Sequence, residues 1–212
     1  MLGWYCERFD TVELNNTFYH LPKANSLRSW RDSTPANFCF AAKGSRFLTH
    51  MKKLKDPEAG LKRFFDCVEI LQHKLGPILF QLPPNWQVDV ERLEIFLNCL
   101  PTYHRYAFEF RNESWNVPEI FDLLRKHNAA YCAFHLAGFQ SPLTITADFA
   151  YVRLHGPGGK YQGSYDDPTL RGWADRISLW ERDLRSIYVY FDNDEAGYAA
   201  GDAVRLRGLL HG

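Results

Sequence analysis

Residues 107–111 read Ala-Phe-Glu-Phe-Arg, and that alternation decides the fold. Successive side chains of a strand point to opposite faces. Ala107, Glu109 and Arg111 therefore share one face, and Phe108 and Phe110 the other. Working outward, strands are also expected at Thr11–Asn15, Phe38–Lys43, Ile78–Leu82, Tyr131–His135, Tyr151–His155 and Ile187–Asn193. In the first six of the seven strands one face is bulky and apolar: Val12/Leu14, Phe38/Phe40, Ile78/Phe80/Leu82, Phe108/Phe110, Cys132/Phe134 and Val152/Leu154. The opposite faces start small and end polar, at Glu13 and Asn15, Lys43, Gln81, Glu109 and Arg111, His135, and Arg153 and His155. The last strand runs out at Asp192 and Asn193. A sheet buried on both faces would read as hydrophobic throughout. A barrel fits this pattern better, with the bulky face under helices and the polar ends at the C-terminal rim, where (β/α) barrels carry chemistry. The polar ends recur every 20 to 38 residues, close to the length of one strand–helix–strand unit of about 30.

Helical patterns fill most of the gaps. Asp56-Pro57 predicts an N-cap followed by Pro at the first helical position. Leu61, Phe64, Phe65, Val68, Leu71 and Leu75 then give an apolar stripe that Gly76-Pro77 closes. Asp89 opens a second helix, and Val117–His127, Leu170–Leu184 and Tyr198–Leu210 read as three more. Residues 137–150 carry no helical pattern and read as a loop. Seven strands alternating with helices predict an α/β, TIM-barrel-like fold, as a single domain over residues 1–212. An eighth strand is missing, because the ten residues before Thr11 cannot supply a strand and its crossover helix. Met1–Phe9 reads instead as the tail of a helix. Either the barrel is open with seven strands, or the usual first strand is absent from this chain.

Of the 212 residues, 46% are hydrophobic, which excludes disorder as the overall state. The 25 basic and 25 acidic side chains cancel, which argues against a generic polyanion surface and hence against nucleic acid as a partner. The five cysteines are scattered without a C-x-x-C pair, so neither a disulfide framework nor a zinc site is expected. No apolar run reaches the roughly 18 residues of a membrane span. The N-terminal MLGWYCERFD is too short and polar for a signal peptide. A cytoplasmic protein without membrane contact is expected.

Six stretches, FDTVELNNTFYHLP, FCFAAKGSRFLTHMKKL, LGPILFQLPPNW, FEFRNESW, YVRLHGPGGKYQGSY and YVYFDNDEAGYAAGDA, occur in order from residue 9 to residue 203. In these the sequence resembles the domain of unknown function 72 (YecE-like) family. The resemblance implies a TIM-barrel-like fold, a bacterial or archaeal distribution and no established activity. It also implies a Gly-Thr-Ser-Gly-Trp-type first strand, which this sequence lacks, and an acidic residue where His135 stands.

Glu13 and Glu109 share the polar face and are candidates for paired acid–base work, with His155 as a proton carrier. Structural ion pairs with Arg111 or Lys43 are the competing explanation. Lys43, Arg111 and Arg153 outnumber the strand-borne acids, and His50 follows closely. Burying such cations alone is costly, so an anion is expected there. Gly156, Gly158 and Gly159, in a loop after the penultimate strand, stand where barrels often bind phosphate. Asn15, Gln81 and Asn193 complete the polar lining, and Trp115 and Tyr161 offer rings for stacking, as do Tyr19, Trp86 and Tyr165. No P-loop, G-x-G-x-x-G or nucleophile elbow occurs. The leading expectation is an enzyme acting on a small phosphorylated or carboxylated molecule, with no cofactor. Alternatives are a divalent-metal-dependent hydrolase, using His135, His155, His50, Glu13, Glu109 and Asp192, and a non-catalytic barrel that binds nucleotide or nucleic acid through Arg46–Lys55 and the loop aromatics.

Overall fold

The computed structural model describes residues 2–211, in two units, Met1–Ala129 and Ala130–Gly212. In the first unit, helix α1 (Leu2–Cys6) leads into β1 (Thr11–Leu14), then α2 (Asn16–Tyr19), α3 (Ala24–Asp32), β2 (Cys39–Lys43) and α4 (Glu58–Val68). The elements β3 (Leu75–Leu82), α5 (Val90–Asn98), β4 (Tyr106–Phe110) and α6 (Pro118–Lys126) follow. Its four strands pair in parallel and in chain order. In the second unit, β5 (Ala130–Leu136) turns back through the short antiparallel β6 (Phe139–Gln140). Next come β7 (Phe149–Leu154), α7 (Asp167–Trp180), β8 (Ser186–Phe191) and α8 (Tyr198–His211). Strands β5, β7 and β8 are parallel neighbours. Seven parallel strands alternating with helices make this a mixed α/β, TIM-barrel-like fold. No described helix is long and apolar enough to cross a membrane.

The bulky strand faces pack under helices, as their size requires. Val12, Leu14, Phe38 and Phe40 cluster with Leu27 of α3 and with Leu71. Phe80 meets Phe96 of α5 edge-on at 4.9 Å and Phe64 of α4 at 6.3 Å. In the second unit Val152, Leu154, Ile187 and Val189 pack with Leu170, Trp173 and Ile177 of α7 and Leu206 of α8. Each such side chain contributes about 1.5–3 kcal/mol when fully buried. Asp89 caps α5 as its sequence predicts, accepting from Arg92 N at 3.0 Å.

Other expectations need correction. Pro57 is the N-cap of α4 rather than its first residue, and Asp56 takes a left-handed turn (φ 43°) instead of capping. Gly76 and Pro77 lie inside β3 rather than closing a helix, because α4 ends at Val68 and a 3-10 turn, Glu69–Lys74, brings the chain to the sheet. Gly76 suits that place: a Cβ there would lie 2.2 Å from Cys39 Sγ. Helix α3 escaped the sequence reading, since Leu27 is its one fully buried residue. Strand β5 also faces the other way from its predicted parity. Cys132 is opposite Tyr151 and Phe134 opposite Arg153, while His135 is opposite Leu154. Ala133 thus lies under the helices, beside Tyr165, Leu170 and Trp173. Both faces of this strand are apolar at their start, and the face under large helical rings takes the small alanine.

Candidate functional site

In both units the charged side chains sit at the C-terminal ends of the strands. In the first unit Glu109 is fully buried in β4, opposite the half-buried Gln81 of β3. Arg111, two residues on and therefore on the same face, donates its Nε–H to Glu109 Oε1. The polypeptide then turns through Asn112, whose side chain accepts from Ser114 N at 3.1 Å and donates to Pro84 O at 2.8 Å. Trp115 closes the turn with its indole N–H on Trp86 O at 2.7 Å and its ring stacked on Phe110 at 5.0 Å. Trp115 is 0% exposed, so the stacking role expected of it is replaced by a core role. The FEFRNESW motif thus builds and fixes one ion pair.

Lys43, the last residue of β2, is buried, with its ammonium 4.6 Å above the Phe18 ring. Thr17 Oγ1 lies 2.7 Å from both Leu14 O and Lys43 O and ties the ends of β1 and β2 together. His50, on a π-helical turn (Phe47–Met51), has Nδ1 2.9 Å from Thr49 Oγ1 and meets Phe18 edge-on at 5.1 Å. Burial, then the nearby Arg46 and Lys43, lower its pKa to about 4. His50 is therefore neutral near pH 7. Glu13 is half-buried in β1, opposite Ala41, and Asn15 precedes α2 without capping it by a side-chain bond.

The second unit holds a tighter group. Arg153 and His155 are both 0% exposed. Asp192 Oδ2 accepts from Arg153 Nη2 at 3.1 Å and lies 3.2 Å from His155 Nδ1. Arg153 Nη1 is 3.4 Å from His155 Nε2. A guanidinium only donates, so Nε2 is the accepting nitrogen and the ring proton sits on Nδ1, facing Asp192. An inward arginine was expected to call for a ligand anion, but Arg111 and Arg153 each have a carboxylate of the chain beside them.

Gly156 has φ 106°, and a Cβ there would meet Gln162 O at 2.3 Å, so glycine is required. Its N–H is taken by Tyr165 Oη at 3.0 Å, and Tyr161 N–H by His155 O at 2.7 Å. The Gly156 amide, expected for phosphate, thus holds the loop itself, as does the neighbouring Tyr161 amide. Gly158 and Gly159 follow in the turn that bridges Gly159 to Gln162, and Tyr161 is exposed beside it. Tyr165 Oη also meets His135 Nδ1 at 3.0 Å. Burial, then His155, lower the His135 pKa.

Asn193, expected on the polar lining, is a buried tether. Its Nδ2 donates to Gly163 O and to Asp202 Oδ2, both at 2.8 Å. Asp202 of α8, 1% exposed, also accepts from Ser164 Oγ (2.7 Å), Tyr165 N (2.9 Å) and Arg205 Nη1 (3.0 Å). Asp202 was not among the residues expected at the site. Its signal is an acid in the buried stripe Ala199, Asp202, Leu206 of α8. Among the described residues, no three His, Cys, Asp or Glu side chains are placed to hold a metal ion.

A β/α fold with buried charged groups at its C-terminal strand ends defines a TIM-barrel-like protein. More closely, the chain belongs to the family described as protein of unknown function DUF72, which it matches over residues 1–212. It is 24% identical to the UPF0759 protein YunF of Bacillus subtilis over 243 aligned residues, 97% of this chain and 85% of that protein. With the UPF0759 protein YecE of Escherichia coli K12 it shares 29% over 109 residues, 51% of this chain and 40% of that one. A crystal structure of a DUF72 family protein from Thermotoga maritima matches with a TM-score of 0.87 at 28% identity, over 99% of this chain and 87% of that one. One from Enterococcus faecalis, at 18% identity, shares the fold with a TM-score of 0.85, over 99% of this chain and 88% of that one.

Proposed function

We propose that the protein is a cytoplasmic enzyme that acts on a small phosphorylated or carboxylated molecule by acid–base chemistry at its C-terminal strand ends. The observation that carries this reading is the buried Arg153, His155 and Asp192 group. Asp192 fixes the ring and its tautomer, which leaves Nε2 as the basic nitrogen. That nitrogen faces the guanidinium, so an anion drawn to Arg153 arrives within reach of a proton carrier. Asp192 offsets the charge when the imidazole takes up a proton. Glu13 and Glu109 remain the carboxylate candidates on β1 and β4. The reading asks for no metal or organic cofactor.

The test is a thermal-shift screen of the whole chain against inorganic phosphate, phosphosugars and small carboxylates, followed by turnover of each compound that binds. Ligand at 100-fold its Kd stabilises the fold by about 2.7 kcal/mol. His155→Asn should keep that shift and lower turnover at least 100-fold, the scale of a lost general base. Normal turnover by His155→Asn, or no shift with any compound, overturns the reading.

A further inference from the structure

Zero net charge conceals a strong local imbalance. Between Asp32 and Asp56 there is no acidic residue, yet Lys43, Arg46, Lys52, Lys53 and Lys55 all fall there. The structure gathers the last four around one turn. Arg46 precedes the π-helical turn Phe47–Met51, Lys52 follows it, and Lys53 and Lys55 come next. Arg46, Lys52 and Lys55 are exposed and Lys53 half-buried. Among the described residues none of the four is in an ion pair.

Apolar groups stand among these charges. A π-helical turn brings residues four apart to nearly the same side, and Phe47 and Met51 are 45% and 69% exposed. Tyr19 of α2, 68% exposed, is linked to the turn through Phe18. Phe18 lies between them, 4.9 Å from the Tyr19 ring and 5.1 Å from His50 of the turn. The backbone after the turn is unusual, with Lys53 (φ 47°), Leu54 (φ 62°) and Asp56 (φ 43°) in the left-handed region. The fully buried Leu54, whose N–H donates to Leu48 O at 2.9 Å, anchors that path. The turn is thus held in a shape that keeps its lysines at the surface.

We propose that this face docks single-stranded nucleic acid, with Arg46, Lys52, Lys53 and Lys55 on phosphates and Tyr19 and Phe47 against unstacked bases. A polyanion that also carries ring faces matches both features of the surface. The Lys52 ammonium lies 6.0 Å from the Phe47 ring centre, a separation that the phosphate and base of one nucleotide span. The surface shares no residue with the Arg153, His155 and Asp192 group, so His155→Asn leaves it intact and the two readings fail separately.

The test is fluorescence anisotropy with labelled 12-residue oligothymidylate and oligouridylate in a salt titration. Four phosphate contacts give a log–log slope of about −2.8, which is roughly a 50-fold loss between 50 and 200 mM salt. The double variant K52E/K55E should halve that slope. Y19A/F47A, which removes two stacking rings, should weaken binding at least about 30-fold at unchanged slope. Unchanged melting temperatures show that both variants are folded. No binding at 50 mM salt overturns the proposal, as does an unaffected Y19A/F47A, which would mark a generic polyanion surface. Tighter binding to phosphatidylglycerol vesicles than to either oligonucleotide, lost in Met51→Ser, would overturn it in favour of a membrane surface.

Discussion

Asp202→Asn removes one charge and exchanges one oxygen for an NH2 group at almost constant shape. Its consequence can be worked from four contacts. One carboxylate oxygen accepts from Ser164 Oγ and Arg205 Nη1, the other from Tyr165 N and Asn193 Nδ2. An asparagine retains one oxygen, so two donors keep an acceptor and two face an NH2 group that only donates. A hydrogen bond to a charged group is worth about 1.5–3 kcal/mol, so two lost bonds cost about 3–6 kcal/mol. That is a large part of an ordinary domain stability of about 5–15 kcal/mol. Urea denaturation should show the midpoint falling accordingly. Trypsin should cut faster at the exposed Lys160, because Tyr165 and Ser164 anchor the loop that carries it. Arg205→Ala, at a side chain 40% exposed, should cost under about 1 kcal/mol. A loss under about 1 kcal/mol in Asp202→Asn, with proteolysis unchanged, would refute the reasoning.

Lys74 is buried, and its ammonium donates to Arg31 O (2.5 Å), Thr34 O (2.8 Å) and Thr34 Oγ1 (3.0 Å), tying off the end of α3. Lys74→Met should therefore cost about 2–4 kcal/mol in urea denaturation, since buried carbonyls lose their donors; a neutral effect would show that the ammonium is dispensable. The His50 pKa of about 4 lies below the usual imidazole value, so the unfolded chain takes up this proton first as pH falls. The folded state thus holds its full stability above about pH 6.5 and loses part of it on the way to pH 4. His50→Gln should lose less stability than the wild type between pH 7.5 and 4.5, and parallel losses would contradict the assignment.

How much was legible follows from where each signal lies. Strand positions were legible because seven short segments carry their own alternation. In the first unit both faces differ in size and polarity, so Glu109 and Arg111 were placed correctly on one face from five residues. In β5 the first four residues are apolar on both sides, and only contact with Tyr165 and Trp173 decides which side lies under helices. The missed α3 has the same cause in reverse. Its stability comes from outside its own sequence, through Lys74 on Arg31 O and Arg31 Nη1 on Ile70 O. Trp115 looked like a loop ring because its span is short and polar. Its burial depends on Trp86 O, 29 residues away.

The pairing of cations with the chain's own carboxylates changes what an anion site means here. Arg153 does not wait with an unmet charge, since Asp192 already stands 3.1 Å from it. An arriving anion must share the guanidinium with that carboxylate, and two like charges around one cation repel. Counting Arg153 as +1, Asp192 as −1 and a singly charged ligand as −1 leaves a net negative charge in a buried place. The same argument explains why a carboxylate would stand beside an arginine meant for an anion. On the proposed reading, Asp192 keeps the guanidinium from drawing in anions indiscriminately.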